Sequence, residues 1–244
     1  MSRFDEADDP RRRLLIQALA AGAFSAALTD KAALAASLFG TPPGKLPPGQ
    51  SIYRLEGDVK VNDKPASMST IIKPNDKVET GPKSEAIFVV GGNSMIMREN
   101  SHLQMEGKEE KTSFLIQGLR LLTGKLLSVS RSHGTQIRTS TATIGVRGTG
   151  YYIVSDPEQT YFCTCYGLTD VESIADPTSS DSVASKHHDR PLYILANEPA
   201  GRNIRKAGFI NHTDQELMLI ETLVGRTPPF VFAGDEYSAP RRDY

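Results

Sequence analysis

The sequence predicts an all-β fold of stacked short strands that is completed by one C-terminal amphipathic helix. Over residues 52–154, short β-prone runs such as 85–90 alternate with Gly, Asn, Asp and Pro, which is typical of many strands joined by tight turns. Residues 213–216 then form a capping box, and apolar residues recur on one face up to residue 224. A single helix of this kind is expected to dock on the sheet and close a core.

Length and charge limit the classes of function. The chain has 244 residues, which is enough for one sizeable core with appendages. Its 28 basic and 29 acidic residues give a net charge of -1, and no long basic stripe stands out. Because nucleic-acid binding relies on such basic surface, the sequence predicts no nucleic-acid partner.

The first 35 residues are typical of an export signal. Three arginines at 11–13 precede the uncharged run 14–28, which is shorter than the about 20 apolar residues of a membrane span. Small residues follow at 33–35, where we expect cleavage. The arginines directly before two leucines resemble the twin-arginine signal, and a general secretory signal is the alternative. We expect a periplasmic protein of a Gram-negative bacterium, which contacts the membrane only if the signal stays uncleaved.

The mature chain is predicted to have three parts. Residues 36–51 are rich in Pro and Gly and predict a tether. Residues 52–155 are the predicted β domain. The remainder, 156–244, is predicted to be a β-rich extension that contains an exposed loop at 170–190, rich in Ser, Asp and Pro, and a helix at 213–224.

Residues 139–154 read TSTATIGVRGTGYYIV, and they contain the run Gly145, Val146, Arg147, Gly148 and Thr149. This run resembles the motif that closes a FecR domain, named after the ferric citrate regulator, and the spacing of the upstream turns agrees. The resemblance implies a solenoid-like or sandwich-like β domain that senses, scaffolds or binds a ligand rather than catalysing a reaction. Both glycines of the run are expected to permit backbone conformations or close approaches that a Cβ would forbid. The arginine is expected to cap carbonyl groups or to pair with the carboxylate of a partner.

FecR proteins of the ferric citrate regulator type carry a cytoplasmic anti-sigma segment and a membrane helix before the periplasmic region. Here only thirteen residues precede the apolar run, too few for a folded sigma-binding domain. The resemblance therefore implies a stand-alone periplasmic member that lacks the anti-sigma segment.

Cys163 and Cys165 are the two cysteines of the chain, and strand alternation predicts that both sulfurs lie on one face. Two thiolates with one or two imidazoles suit zinc or copper. The adjacent His187 and His188 are expected to point to opposite faces, so only one of them is expected to bind the ion. His212 either completes the site or simply precedes the helix.

Other roles for the cysteines stay open. They can pair in the oxidising periplasm or pack as small buried residues, although a regular strand holds their side chains about 7 Å apart, near the limit for a disulfide. A thiol nucleophile served by one histidine is a further alternative.

No GxSxG, Walker A, Rossmann or HExxH signature occurs. The sequence therefore favours a non-enzymatic sensor or interaction module of the cell envelope, which binds an envelope protein or a small ligand. A zinc- or copper-binding protein comes second, and a thiol-dependent enzyme third.

Overall fold

A computed structural model describes residues 43–110, 113–130 and 133–230. The predicted export signal at 1–35 and the first part of the tether lie outside the described residues. Within those residues, no helix is both long enough and apolar enough to span a membrane. The described part of the tether is docked on the molecule, because the Leu46 amide donates a 2.9 Å hydrogen bond to the Leu223 carbonyl.

Fourteen strands form one sheet, and one α-helix follows them within the described part of the chain. This arrangement confirms the predicted all-β class with a C-terminal helix. The strands are β1 (Ile52–Glu56), β2 (Val59–Val61), β3 (Lys64–Pro65), β4 (Lys77–Thr80), β5 (Glu85–Val90), β6 (Asn93–Met97), β7 (Ser101–Glu109), β8 (Phe114–Val129), β9 (His133–Arg138), β10 (Ala142–Ser155), β11 (Gln159–Ser173), β12 (Ser180–Ser185), β13 (Leu192–Leu195) and β14 (Ile204–Lys206), and the helix is α1 (Asp214–Leu223).

The sheet runs in the order β14-β13-β11-β10-β9-β8-β7-β4-β2-β3, with β12 beside β11 and the hairpin β5–β6 attached to β8. Strands β8, β10 and β11 are 16, 14 and 15 residues long. Each of them changes partner along its length: β8, for example, pairs first with β7 and then with β6 and β10. The long strands therefore tie the FecR-like region and the C-terminal extension into one hydrogen-bonded unit.

Two apolar cores lie on opposite faces of β10 and β11, because successive side chains of a strand alternate between faces. Ile153 and Phe162 belong to the first core, which includes most of the buried residues of β4 to β9. Tyr152 and Cys163 belong to the second core, which α1 covers. The cysteine face of β11 is therefore the face on which the helix packs.

Helix α1 begins where the sequence predicted it. The Thr213 hydroxyl accepts a hydrogen bond from the Glu216 amide, and the Glu216 carboxylate accepts one from the Thr213 amide, which completes the capping box. The same carboxylate also receives both bonds of a buried ion pair with Arg98, at 2.9 and 3.0 Å. The helix is thus fixed to the sheet by a charged pair as well as by apolar packing.

The prediction of an exposed loop at 170–190 is wrong over much of that range. Strand β11 continues to Ser173, and β12 pairs with its residues 167–172. The composition concealed this strand because its inward positions are filled by Val183 and the small Ser185, while Ser180, Ser182 and Ala184 are exposed. A strand with only one large apolar residue gives little period-two signal.

Candidate metal centre

Strand β11 presents both cysteines on the face that α1 covers. Cys163 lies opposite Tyr152 of β10, and alternation brings Cys165 to the same side. Both residues are free thiols with no exposed surface. The strand therefore places two sulfurs in the second core.

The crossover from β12 to β13 brings a histidine beside these sulfurs. Strand β12 pairs with residues 167–172 of β11 and β13 with residues 159–162, so the connecting chain must pass the cysteines. There the His188 amide donates a 2.9 Å hydrogen bond to the Cys165 carbonyl. His188 has a φ of 53°, a left-handed conformation that is uncommon for residues other than glycine.

A second histidine reaches the cysteines from the segment that leads into α1. Asn211 turns the chain with a φ of 57°, and His212 follows it, fully buried. The imidazole of His212 stacks on Tyr152, with ring centroids 4.6 Å apart. The turn before the helix therefore fixes both the position and the plane of this ring.

The four side chains converge on one point. The Cys163 sulfur lies 3.4 Å from Nδ1 of His188, the Cys165 sulfur lies 3.3 Å from Nε2 of His212, and the two nitrogens are 3.1 Å apart. All four ligand atoms lie within 4.8 Å of one another. Tetrahedral zinc with sulfur and nitrogen ligands has neighbouring ligand atoms about 3.3–3.8 Å apart, so the spacing fits such an ion. We call this group the Cys2His2 cluster: Cys163, Cys165, His188 and His212.

The outer nitrogens of both imidazoles have fixed partners. Nε2 of His188 lies 3.0 Å from the buried carboxylate of Asp214, and Nδ1 of His212 lies 2.7 Å from the carbonyl of Ile210. Each partner accepts a hydrogen bond, so each outer nitrogen donates, and in the neutral imidazole each inner nitrogen presents a lone pair. Metal-binding histidines are held in this way by carboxylates and carbonyls.

The two inner nitrogens then face each other as acceptors across 3.1 Å. Two lone pairs at this distance repel unless a cation, either a proton or a metal ion, lies between them. Burial alone would lower the pKa of His188, but its hydrogen bonds with Asp214 and Cys163 raise it to about 9. The metal-free cluster therefore keeps a proton at the position where a metal ion would bind.

The pKa values of the two thiols are shifted in opposite directions. Burial would raise the pKa of Cys163, but the neighbouring Cys165 and His212 hold it well below its usual range. Burial and the adjacent Cys163 raise the pKa of Cys165 well above its usual range. A metal ion that binds both sulfurs requires them as thiolates and would displace any proton they carry.

His187 lies outside the Cys2His2 cluster. Its Nε2 is 2.9 Å from the Asp214 carboxylate, which therefore receives bonds from both adjacent histidines. Burial would raise the pKa of Asp214, but His188 and His187 lower it. Of the two histidines that the sequence offered as alternatives, the structure brings His188 to the sulfurs and places His187 behind the shared carboxylate.

Aromatic rings surround the cluster. Phe209 lies 4.6 Å from the ring of His188 and 4.5 Å from that of His212, and Phe230 lies 4.7 Å from that of His187. Such rings exclude water and strengthen electrostatic interactions inside the site. Neither cysteine has the exposed surface that a thiol nucleophile needs, so the geometry fits ligands better than catalysis.

The GVRGT run lies on β10, away from the Cys2His2 cluster. Gly148 has a φ of 62° at a bulge, as expected, but the prediction for Gly145 is wrong, because the nearest atom to an added Cβ there is 4.0 Å away. Arg147 pairs with Asp170 of its own chain on the exposed surface. Val146 and Thr149 are fully buried. The contacts described for this run are therefore all with other residues of the same chain.

Sequence reasoning missed two members of the site. Asp214 was recognised only as part of the capping box, and the Ile210 carbonyl carries no side-chain signal. Asp214 lies two positions after His212 but contacts His188 and His187 instead, so its place in the sequence gave no sign of this role.

Similar proteins are found among solved structures and among family models. Two crystal structures of a candidate anti-sigma factor from Parabacteroides distasonis are similar, with TM-scores of 0.42 and 0.41 and 14% identity. Each similarity covers 54% of this chain and 59% of that protein, so the match spans less than two thirds of its length. A search of curated proteins found no match. Residues 76–166 match the family model described as FecR protein, as the resemblance predicted.

Proposed function

We propose that this FecR-domain protein binds one zinc or copper ion in the Cys2His2 cluster and serves a non-enzymatic signalling role in the bacterial envelope. The observation that carries the proposal is the pair of inner imidazole nitrogens, which face each other at 3.1 Å while both outer nitrogens are bound to acceptors. Two sulfurs within contact distance complete a four-ligand set. This set leaves no open coordination position, which is typical of a structural or sensing site rather than a catalytic one.

The FecR domain itself indicates a signalling or regulatory role. A periplasmic location is the proposal that the N-terminal residues support, because the arginines, the apolar run and the small residues have the order of an export signal. If the signal is of the twin-arginine type, the protein folds before export and can take up its metal ion in the cytoplasm.

The direct test is elemental analysis of protein purified without chelator or affinity metal, together with a count of thiols in the unfolded chain. We expect close to one zinc or copper ion per chain and two free thiols after its removal. His188→Gln and His212→Gln should lose the ion. His102→Gln is a matched control, because His102 contacts Glu79 on β4 and has no part in the cluster. A wild-type protein that binds neither metal would overturn the proposal.

A second candidate is the interaction module that the sequence favoured first, in which the FecR domain binds an envelope protein or a small ligand. The match to the FecR family is the observation that supports it. The Cys163→Ser, Cys165→Ser double variant separates the two. An interaction module keeps its fold and its partners in this variant, whereas a metal protein loses the ion and melts at a lower temperature.

A further inference from the structure

We infer that the ion is zinc and that it holds α1 on the sheet, so that zinc occupancy controls whether the second core is covered. This inference rests on the proposed metal site and adds the identity of the ion and its structural effect. It follows from where the ligands originate, what α1 covers and what charge the site can hold.

The four ligands come from three separate parts of the chain. Both sulfurs belong to the sheet strand β11, one imidazole to the crossover between β12 and β13, and one to the segment just before α1. His212 precedes the first residue of the helix, Asp214, by two positions, and Asp214 in turn binds His188. One ion would therefore join the start of α1 to the sheet both directly and through the carboxylate.

Helix α1 is the cover of the second core. Leu217, Ile220 and Leu223 are almost fully buried in it. They pack in the same cluster as apolar side chains of β5, β6, β8 and β10, namely Ile87, Ile96, Leu127, Val129 and Tyr152. Movement of the helix would uncover this face of the sheet.

The Cys2His2 cluster buries several polar groups close together. The inner nitrogens of His188 and His212 lie 3.1 Å apart beside two buried sulfurs. A bound ion offsets this arrangement, whereas its loss leaves polar groups buried with fewer favourable interactions. The start of the helix is therefore the part of the second core that depends most on the ion.

Charge and geometry both select zinc. Two thiolates neutralise a divalent ion, whereas copper(I) would leave a net negative charge buried beside the Asp214 carboxylate, which is costly. A tetrahedral site with two sulfur and two nitrogen ligands is typical of zinc, and copper(II) prefers a tetragonal arrangement. Because copper(I) differs from zinc in this charge balance, comparing the binding of the two ions tests the choice of zinc.

Hydrogen–deuterium exchange on the full mature chain tests the inference. The protein is compared as loaded with Zn²⁺, as stripped by a chelator, and as reloaded with Zn²⁺ or with Cu⁺. We expect the amides of 214–223 to exchange at least about tenfold faster after stripping and to regain protection with Zn²⁺. Amides of β7, which lies in the first core, serve as the internal control.

A second test changes the helix instead of the ligands and measures the effect on Zn²⁺ affinity. Ile220→Ala loosens the helix at a residue that is not a ligand, and coupling requires that it also weakens Zn²⁺ binding. Ile137→Ala is the matched truncation in the first core and should leave Zn²⁺ affinity unchanged. If zinc binds but the amides of α1 exchange at the same rate with and without it, the inference is overturned while the proposed metal site stands. Tighter binding of Cu⁺ with full helix protection would overturn the choice of zinc, and no binding of either ion would overturn the proposed function itself.

Discussion

Asp214→Asn tests how the protein orients the His188 ligand. The carboxylate accepts hydrogen bonds from Nε2 of both His187 and His188, at 2.9 and 3.0 Å. The amide has one acceptor oxygen and presents an NH₂ group that cannot accept the second proton. His188 would lose the partner that holds its inner nitrogen as a lone pair directed at the cluster.

The expected loss in metal affinity follows from this contact. Removal of the carboxylate behind a metal-binding histidine typically lowers affinity by about 10–100-fold. This corresponds to about 1.4–2.7 kcal/mol of binding free energy. A smaller loss of folding stability is also expected, about 0.3–1 kcal/mol, because the negative charge at the N-terminus of α1 is removed.

Competition with a chromophoric zinc chelator measures the affinity of wild type and variant. Asp189→Asn is the matched control, because Asp189 is exposed in the same crossover and binds the Lys186 amide rather than a histidine side chain. An affinity for zinc that stays within about twofold of wild type in Asp214→Asn would refute the orienting role of the carboxylate. Equal losses in both variants would show that the crossover as a whole, and not this carboxylate, sets the affinity.

Two further substitutions test the packing around the site. Gly150→Ala should lower the free energy of unfolding by about 1–3 kcal/mol, because the added Cβ would lie 2.4 Å from the Tyr166 ring. Gly145→Ala, with 4.0 Å of clearance, is its control in urea denaturation, and equal midpoints would contradict the argument. Arg98→Met should lower the same free energy by about 3 kcal/mol, because Glu216, with a side chain only 3% exposed, loses its guanidinium partner. A loss below about 1 kcal/mol would place this pair among solvated ion pairs.

Local sequence patterns were sufficient to predict the strand and the helix start that contribute to the site. The alternation around Cys163 and Cys165 predicted that both sulfurs share a face, because that relation depends only on the strand itself. The capping box at Thr213 fixed the start of the helix for the same reason. These relations join residues two or three positions apart, so the sequence displays them directly.

The closure of the site depends on contacts that the sequence does not display. His188 reaches Cys163 because β12 and β13 pair with different parts of β11, and that register is set by long-range strand pairing. Strand β12 was predicted as a loop, so the path of the crossover beside the cysteines could not be foreseen. Which of His187 and His188 reaches the cysteines depended on the left-handed conformation of His188. The sequence has no glycine or turn motif there that predicts this conformation.

The placement of the four side chains relates the proposed metal centre to the residues that match the FecR family. Cys163 and Cys165 lie within the matched residues 76–166, whereas His188 and His212 come from the extension that follows. Tyr166, at the end of the match, packs on Gly150 of β10 and binds Glu221 of α1, so the same boundary joins the helix to the domain. The strand that completes the family match therefore supplies the sulfurs and contacts the helix. Because the extension contributes both imidazoles, the four-ligand set is complete only where the extension is folded against residues 76–166, and metal binding at the proposed site would report on that contact.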